Sequence, residues 1–240
     1  MSNIVTDALV LRFANYRDND RMVTLLSPAM GRIDAIARGC RRAKSALMNA
    51  AEPFCAGEYV LNFAHGRYAV SQCQIKSSFY ELRMDYDKLV HGFYWLSLLE
   101  GAVMPGEPAQ GLFHLALRAL AHLNYTDLPP AMLTAAFEMH FMAIQGYSPR
   151  MDACVVCGKP VSGPMRFDAW RGGVCCAGCS PLSPAISEGA RRILYKLPRV
   201  PFDSVGKLNG HPDWPEAARL FRGFVEQRME KRPRTAPPLP

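Results

Sequence analysis

The sequence predicts an α+β fold, and three observations carry that expectation. Strand-like alternation runs through the first eighty or so residues, apolar positions recur three and four apart beyond them, and two C-x-x-C pairs lie between residues 150 and 182. The architecture expected is a five-stranded OB-type β-barrel at residues 1–79, then an all-helical domain made of 80–149 and 183–240. A four-cysteine zinc ribbon at 150–182 is inserted into it.

The strands come first. Ile4 to Phe13 is rich in β-formers, and Arg21 to Leu26 follows a polar turn from Asn15 to Asp20. In Arg32 to Arg38, the polar Arg32, Asp34 and Arg38 share one parity and Ile33, Ala35 and Ala37 the other, with Ile36 as the exception. That period of two gives a wet face and a dry face. Tyr59, Leu61 and Phe63 alternate in a fourth strand, His65-Gly66-Arg67 is a hairpin turn, and Tyr68 to Ile75 returns. Five short strands in this length match a small closed barrel.

From Tyr80 to Val103, the residues Leu82, Tyr86, Leu89, Phe93, Leu96 and Leu99 recur at helical steps and predict one long amphipathic helix. Met104 to Pro108 ends it. Gln110 to Asn124 predicts a second helix, and Pro129-Pro130 opens a third that Gly146 and Pro149 stop near Gln145. Ser183-Pro184 reads as an N-cap with proline at the first helical position, starting a helix to about Leu197. A last helix is expected from Pro215 to Glu230, followed by a frayed, proline-rich Thr235–Pro240.

Cys154-x-x-Cys157 and Cys176-x-x-Cys179 are separated by eighteen residues, the spacing of a zinc site built from two knuckles. Each C-x-x-C turn aims two sulfurs the same way, and two turns complete a tetrahedron. Four sulfurs leave no open position for water or substrate, so one structural Zn2+ per chain is expected. Cys175 adjoins Cys176 and competes with it as a ligand, but only Cys176 gives the two-residue gap to Cys179. Cys40, Cys55 and Cys73 are scattered and read as small core hydrophobes.

The formal net charge is +7, with 49% hydrophobic and 20% charged residues. Such a balance is that of a globular chain with a mild preference for polyanions. The cations concentrate at Arg38, Arg41, Arg42 and Lys44, on a loop between two barrel strands, with Arg32 before it and Arg21 one strand earlier. These six residues are the candidate DNA-binding set, because loop cations over an OB barrel can neutralise phosphates. Phe54, Tyr59, Phe63 and Tyr68 read mainly as core, and Tyr16 as an aromatic better placed to stack on bases. Arg191, Arg192, Lys196, Arg219, Arg222, Arg228, Lys231 and Arg232 are interleaved with acids and read as a solvated helical face, or an extension of the DNA path.

Other classes lack support. There is no secretory pattern at the N-terminus and no apolar run long enough for a membrane span, since Glu100 interrupts the richest stretch. A cytoplasmic protein is expected. Phosphate-binding loops, dinucleotide fingerprints, H-E-x-x-H and G-x-S-x-G are all missing, so no catalytic residue is assigned. Asp85 and Asp87, the nearest carboxylate pair, are two apart on an expected helix and point differently.

Taken together, these segments resemble the RecO family of bacterial recombination mediators and DNA repair proteins. Ala8-Leu9-Val10-Leu11-Arg12 is similar to the family's first strand, and Asp20 to Leu26 followed by Gly31-Arg32 to its second hairpin. Ala37-Arg38-Gly39-Cys40-Arg41-Arg42-Ala43-Lys44-Ser45 resembles its basic loop, with Arg38 where lysine is usual and Ala43 where proline is usual. Gly146-Tyr147-Ser148-Pro149, the two C-x-x-C pairs and Leu182-Ser183-Pro184 resemble its zinc module. The resemblance implies binding of single- and double-stranded DNA and annealing of complementary strands. It also implies partnership with RecR and with the C-terminal tail of single-strand-binding protein, and, through these, loading of RecA. An RNA-binding or transcription accessory factor with the same modules is the alternative.

Overall fold

The structure is a computed structural model and describes residues 2–229 and Pro237. Within it the chain divides into two compact units, residues 1–125 and 126–240.

In the first unit, β1 (Ser2–Tyr16), β2 (Asp20–Ser27), β3 (Gly31–Ala37), β4 (Ala56–Ala64) and β5 (Arg67–Ser77) close into a barrel in the order β1-β2-β3-β5-β4. Every pairing is antiparallel except β3 with β5. Strand β1 closes the barrel by serving two partners: Ser2 to Leu9 pair with β4, and Leu9 to Tyr16 pair with β2. A bulge between Val10 and Arg12 marks the change of partner, as an extra residue bends a strand and adds twist. The interior is filled by alternate residues, among them Val10, Leu25, Ile33, Ala35, Tyr59 and Leu61. Tyr59 is fully buried in the same core, and its hydroxyl donates to the Ala50 carbonyl at 2.8 Å. Cys40 and Cys55 are buried in this core, and Cys73 packs against it half-buried.

The expected long helix from Tyr80 is two pieces. Tyr80–Arg83 is a 3-10 turn, and α1 begins at Tyr86 and runs to Ala102. Asp85 takes extended backbone and accepts from Lys88 N, so a short polar side chain wins the position as an N-cap. The buried face also differs from the expected one. Tyr86 and Phe93 are exposed, while His91, Tyr94, Trp95 and Leu98 join Leu96 and Leu99 inside. α2 (Gln110–Tyr125) follows, and its Asn124 Oδ1 receives Leu82 N, tying α2 to the turn before α1.

The second unit starts with α3 (Pro130–Ile144), buried at every position from Met132 to Met142. Gly146, at φ 81°, ends it. β6 (Met165–Asp168), β7 (Gly173–Cys176) and β8 (Ala185–Ile186) form a sheet in the order β7-β6-β8. Ser183-Pro184 therefore does not start a helix: Pro184 O accepts from Phe167 N and the next two residues pair with β6. Ser187 is the cap instead, accepting from Ala190 N, and α4 spans Glu188–Lys196. Two 3-10 turns, Leu197–Arg199 and Phe202–Leu208, lead to α5 (Trp214–Arg228). Glu230 and the Thr235–Pro240 segment, Pro237 excepted, lie outside the described residues.

α5 does not present all its arginines to solvent. Arg222 Nε lies 2.8 Å from Glu138 Oε1 on α3, with the two side chains only 10% and 0% exposed. Breaking such a pair leaves one charge buried alone, at a cost of about 3–5 kcal/mol. Arg222→Met is expected to lose roughly that much stability in urea unfolding, and Glu138→Leu combined with Arg222→Met to regain most of it. A single variant as stable as the parent would show the pair to be energetically idle.

Candidate nucleic-acid interface and metal centre

The loop after β3 is built to hold its cations outward. Gly39 adopts φ 63°, a conformation that costs glycine little, and its N–H donates to Asp20 Oδ1 at 2.8 Å. Arg42 N and Ser45 N close short turns onto Gly39 O and Arg42 O, and Arg41 N donates to Asn19 O. The loop backbone is thus pinned to the β1–β2 turn. Arg38, Arg41, Arg42 and Lys44 are exposed, and none forms an ion pair among the described residues. Arg38, Gly39, Arg42, Ala43, Lys44 and Ser45 line an open concavity of about 530 Å³.

Arg21 and Arg32 sit differently. Arg21 Nη1 contacts Glu52 Oε1 at 2.5 Å, and its guanidinium lies 3.8 Å from the Phe13 ring centroid. Arg32 pairs with Asp34 at 3.2 Å. Both arginines are ion-paired within the fold, which the four loop cations are not among the described residues. Arg17 lies among Asp18 and Asp20 and has no signal in the sequence that singles it out. Pinning of the loop brings it close: Arg41 Nη1 points to the Arg17 carbonyl at 3.5 Å, and Arg17 is itself exposed. Of the aromatics, Phe54 and Tyr59 are core, Tyr16 is half-buried beside Arg17, and Phe63 is 41% exposed against Tyr68.

The C-terminal cations are mixed. Arg222 is buried, Arg191 donates to Met151 O and Glu188, and Arg192 pairs with the same Glu188, whereas Lys196 and Arg219 are exposed. Lys231 and Arg232 lie outside the described residues.

The four cysteines meet. The sulfurs of Cys154, Cys157, Cys176 and Cys179 all lie within 4.8 Å of one another, and Cys157 Sγ and Cys176 Sγ are 4.0 Å apart. A tetrahedron with metal–sulfur bonds of about 2.3 Å has sulfur–sulfur edges of about 3.8 Å, so the donor set fits a tetrahedral thiophilic ion. Three N–H groups, from Val156, Cys157 and Cys176, point at Cys154 Sγ at 3.4–3.5 Å. Burial alone would raise that thiol, but these donors bring it down to about 6. Cys179 goes the other way, up to about 12, because its thiol hydrogen-bonds Cys157 and is partly desolvated. Four close sulfurs cannot all be thiolates without a cation to balance them.

Cys175 faces away. Neighbouring strand residues point to opposite sides of a sheet, and Cys175 is fully buried with its thiol donating to Arg166 O at 3.5 Å. Cys175→Ala is expected to keep its bound metal in elemental analysis, while Cys176→Ser loses it. Equal loss in both would make Cys175 a ligand.

Two family models match the chain: "Recombination protein O N terminal" over residues 1–79 and "Recombination protein O C terminal" over residues 83–237. Curated relatives named DNA repair protein RecO cover nearly all of it. The one from Acetivibrio thermocellus is 28% identical over 96% of this chain and 94% of its own length. That from Anaeromyxobacter sp. strain K is 32% identical over 97% and 94%, and that from Anaeromyxobacter dehalogenans 33% over 93% and 91%.

Proposed function

Because the chain belongs to the RecO family of DNA repair proteins, we propose that it is a non-enzymatic recombination mediator. It binds single- and double-stranded DNA, anneals complementary strands, and helps load RecA onto DNA coated with single-strand-binding protein. The observation that carries this reading is the loop of Arg38, Arg41, Arg42 and Lys44, four exposed cations without carboxylate partners among the described residues. Uncompensated cations on a pinned backbone are suited to phosphates, which they contact by displacing condensed counterions. Arg21 and Arg32 join the set where they exchange Glu52 and Asp34 for phosphate.

Division of labour follows the modules. Residues 1–79 contact DNA, 80–149 with 183–240 form the helical domain, and 150–182 are held by Zn2+ on Cys154, Cys157, Cys176 and Cys179. The metal supplies a cross-link and charge neutralisation, while the chain supplies the contacts. RecR and the tail of single-strand-binding protein are the partners, the site of action is the cytoplasmic nucleoid, and RecA is reached through the assembled complex. No helix among the described residues is long and apolar enough to cross a membrane.

Annealing follows from the same surface. Two strands repel until cations neutralise both, so one basic face can bring them within pairing distance. The test is competition at fixed salt between DNA and RNA strands of equal sequence. DNA is expected to compete at least as well as RNA. A strong RNA preference, which requires reading of the 2′-hydroxyl, would favour an RNA-processing role instead.

A further inference from the structure

The β6–β7 hairpin carries an exposed tryptophan whose position the barrel loop does not explain. Trp170 is 73% exposed at the connection between the two strands. Its support is rigid. Asp168, 6% exposed, accepts from Arg171 N at 2.9 Å, Arg171 Nη1 at 2.8 Å and Ser180 Oγ at 3.1 Å, and Gly172 N donates to Asp168 O. Arg228 Nη1 reaches across from α5 to the Ala169 carbonyl at 2.7 Å, and Arg150 N holds Gly172 O.

The surroundings are aromatic and guanidinium side chains. Arg171 places its guanidinium 5.4 Å from the Trp170 ring centroid. Arg228 lies 3.8 Å over Phe224 and is half-buried. Arg150 adds an exposed cation paired with Asp152. A planar ring exposed on a braced turn, with the Arg171 guanidinium beside it, has the chemistry of a platform for an unpaired base. Bases stack on aromatic and guanidinium planes whatever their sequence, and duplex bases are already stacked on one another.

We infer that Trp170, flanked by Arg171, is a stacking site for single-stranded DNA, separate from the phosphate-binding loop. The inference rests on the DNA-binding reading and adds a strand-selective contact to it. Because stacking releases no counterions, its loss should weaken binding without changing the salt slope.

The chain has three tryptophans, and Trp95 and Trp214 are only 1% and 5% exposed. Trp170 is therefore the one that aqueous quenchers reach first. Titrating the full, zinc-loaded protein with oligothymidylate is expected to quench this accessible emission saturably. Trp170→Ala should lower single-strand affinity by about five- to a hundredfold, the range for one base–aromatic contact, with the salt slope and duplex affinity kept. Trp170→Phe, which retains a ring, should recover most of the affinity. Wild-type protein that binds the oligonucleotide with unchanged emission, together with a Trp170→Ala protein of parental affinity, would overturn the stacking site and leave the DNA-binding reading intact. An equal loss on duplex would also overturn it, and a wild-type protein that binds no DNA at all would remove both.

Discussion

Charge reversal at Arg41 and Arg42 is expected to weaken DNA binding by at least about a hundredfold at moderate salt, since two charge-assisted contacts at about 1.5–3 kcal/mol each are lost. The slope of log affinity against log salt should fall by roughly 0.7 per lost contact on single strands and 0.9 on duplex. The loss should be alike for every sequence, because phosphates carry no base identity. Folding should hardly change. Both residues are exposed, and the hydrogen bonds that shape the loop come from the backbone N–H groups of Arg41 and Arg42 and from Gly39 and Asp20. Substitutions at such surface sites usually shift stability within about 0.5 kcal/mol. Filter binding or anisotropy across a salt series measures both quantities. A folded Arg41→Glu, Arg42→Glu protein with parental affinity and slope would make the loop a solvated connection and move the search to exposed Lys196 and Arg219.

The second large effect concerns the metal. About one zinc per chain is expected from elemental analysis, and a strong chelator or Cys157→Ser should remove it and unfold the module locally. The reason is size. β6, β7 and β8 have four, four and two residues, too few to stand without a cross-link. Apparent zinc-binding energies of about 10–16 kcal/mol in small zinc domains are largely folding energy. Loading should release protons near neutral pH, because the thiols of Cys176 and Cys179 are held above their ordinary value and must ionise to bind. The sign at low pH follows from Cys154. Its folded-state value is depressed to about 6, so the stabilisation its thiolate gives is present above the ordinary thiol value and is lost as pH falls through about 6. Metal should leave on acidification because protons compete with it for all four thiolates. Native protein without zinc, or a Cys157→Ser protein that keeps both metal and melting temperature, would contradict the assignment.

The barrel was legible because its information is local. Ile33, Ala35 and Ala37 alternate with polar neighbours, and those residues are the buried ones, with Ile36 half-buried. The C-x-x-C spacing is equally local, since two turns of fixed geometry need only come together. What failed was decided by partners distant in sequence. The apolar steps through Leu82, Tyr86 and Leu89 hid Asp85, whose capping of α1 depends on backbone that periodicity does not see. Ser183 reads as the cap, and only the pairing of Ala185 and Ile186 with β6 moves the helix start to Ser187. For the site, contiguity made Arg38 to Lys44 visible. The partner of Arg21 is Glu52 and that of Arg222 is Glu138, and neither acid stands near its arginine in sequence. Net charge along the chain cannot separate an arginine that is neutralised in the fold from one left for a ligand.

The central claim, that this loop brings strands together in recombinational repair, is tested most directly by annealing. Complementary strands pre-coated with single-strand-binding protein are mixed with the chain, alone and with RecR, and the rate of duplex formation is followed across salt. The parental protein is expected to accelerate annealing, with the rate fading as salt rises and falling for Arg41→Glu, Arg42→Glu in step with its loss of affinity. Coated strands that anneal no faster with the parental protein than without it, or equally fast with the charge-reversed one, would contradict it.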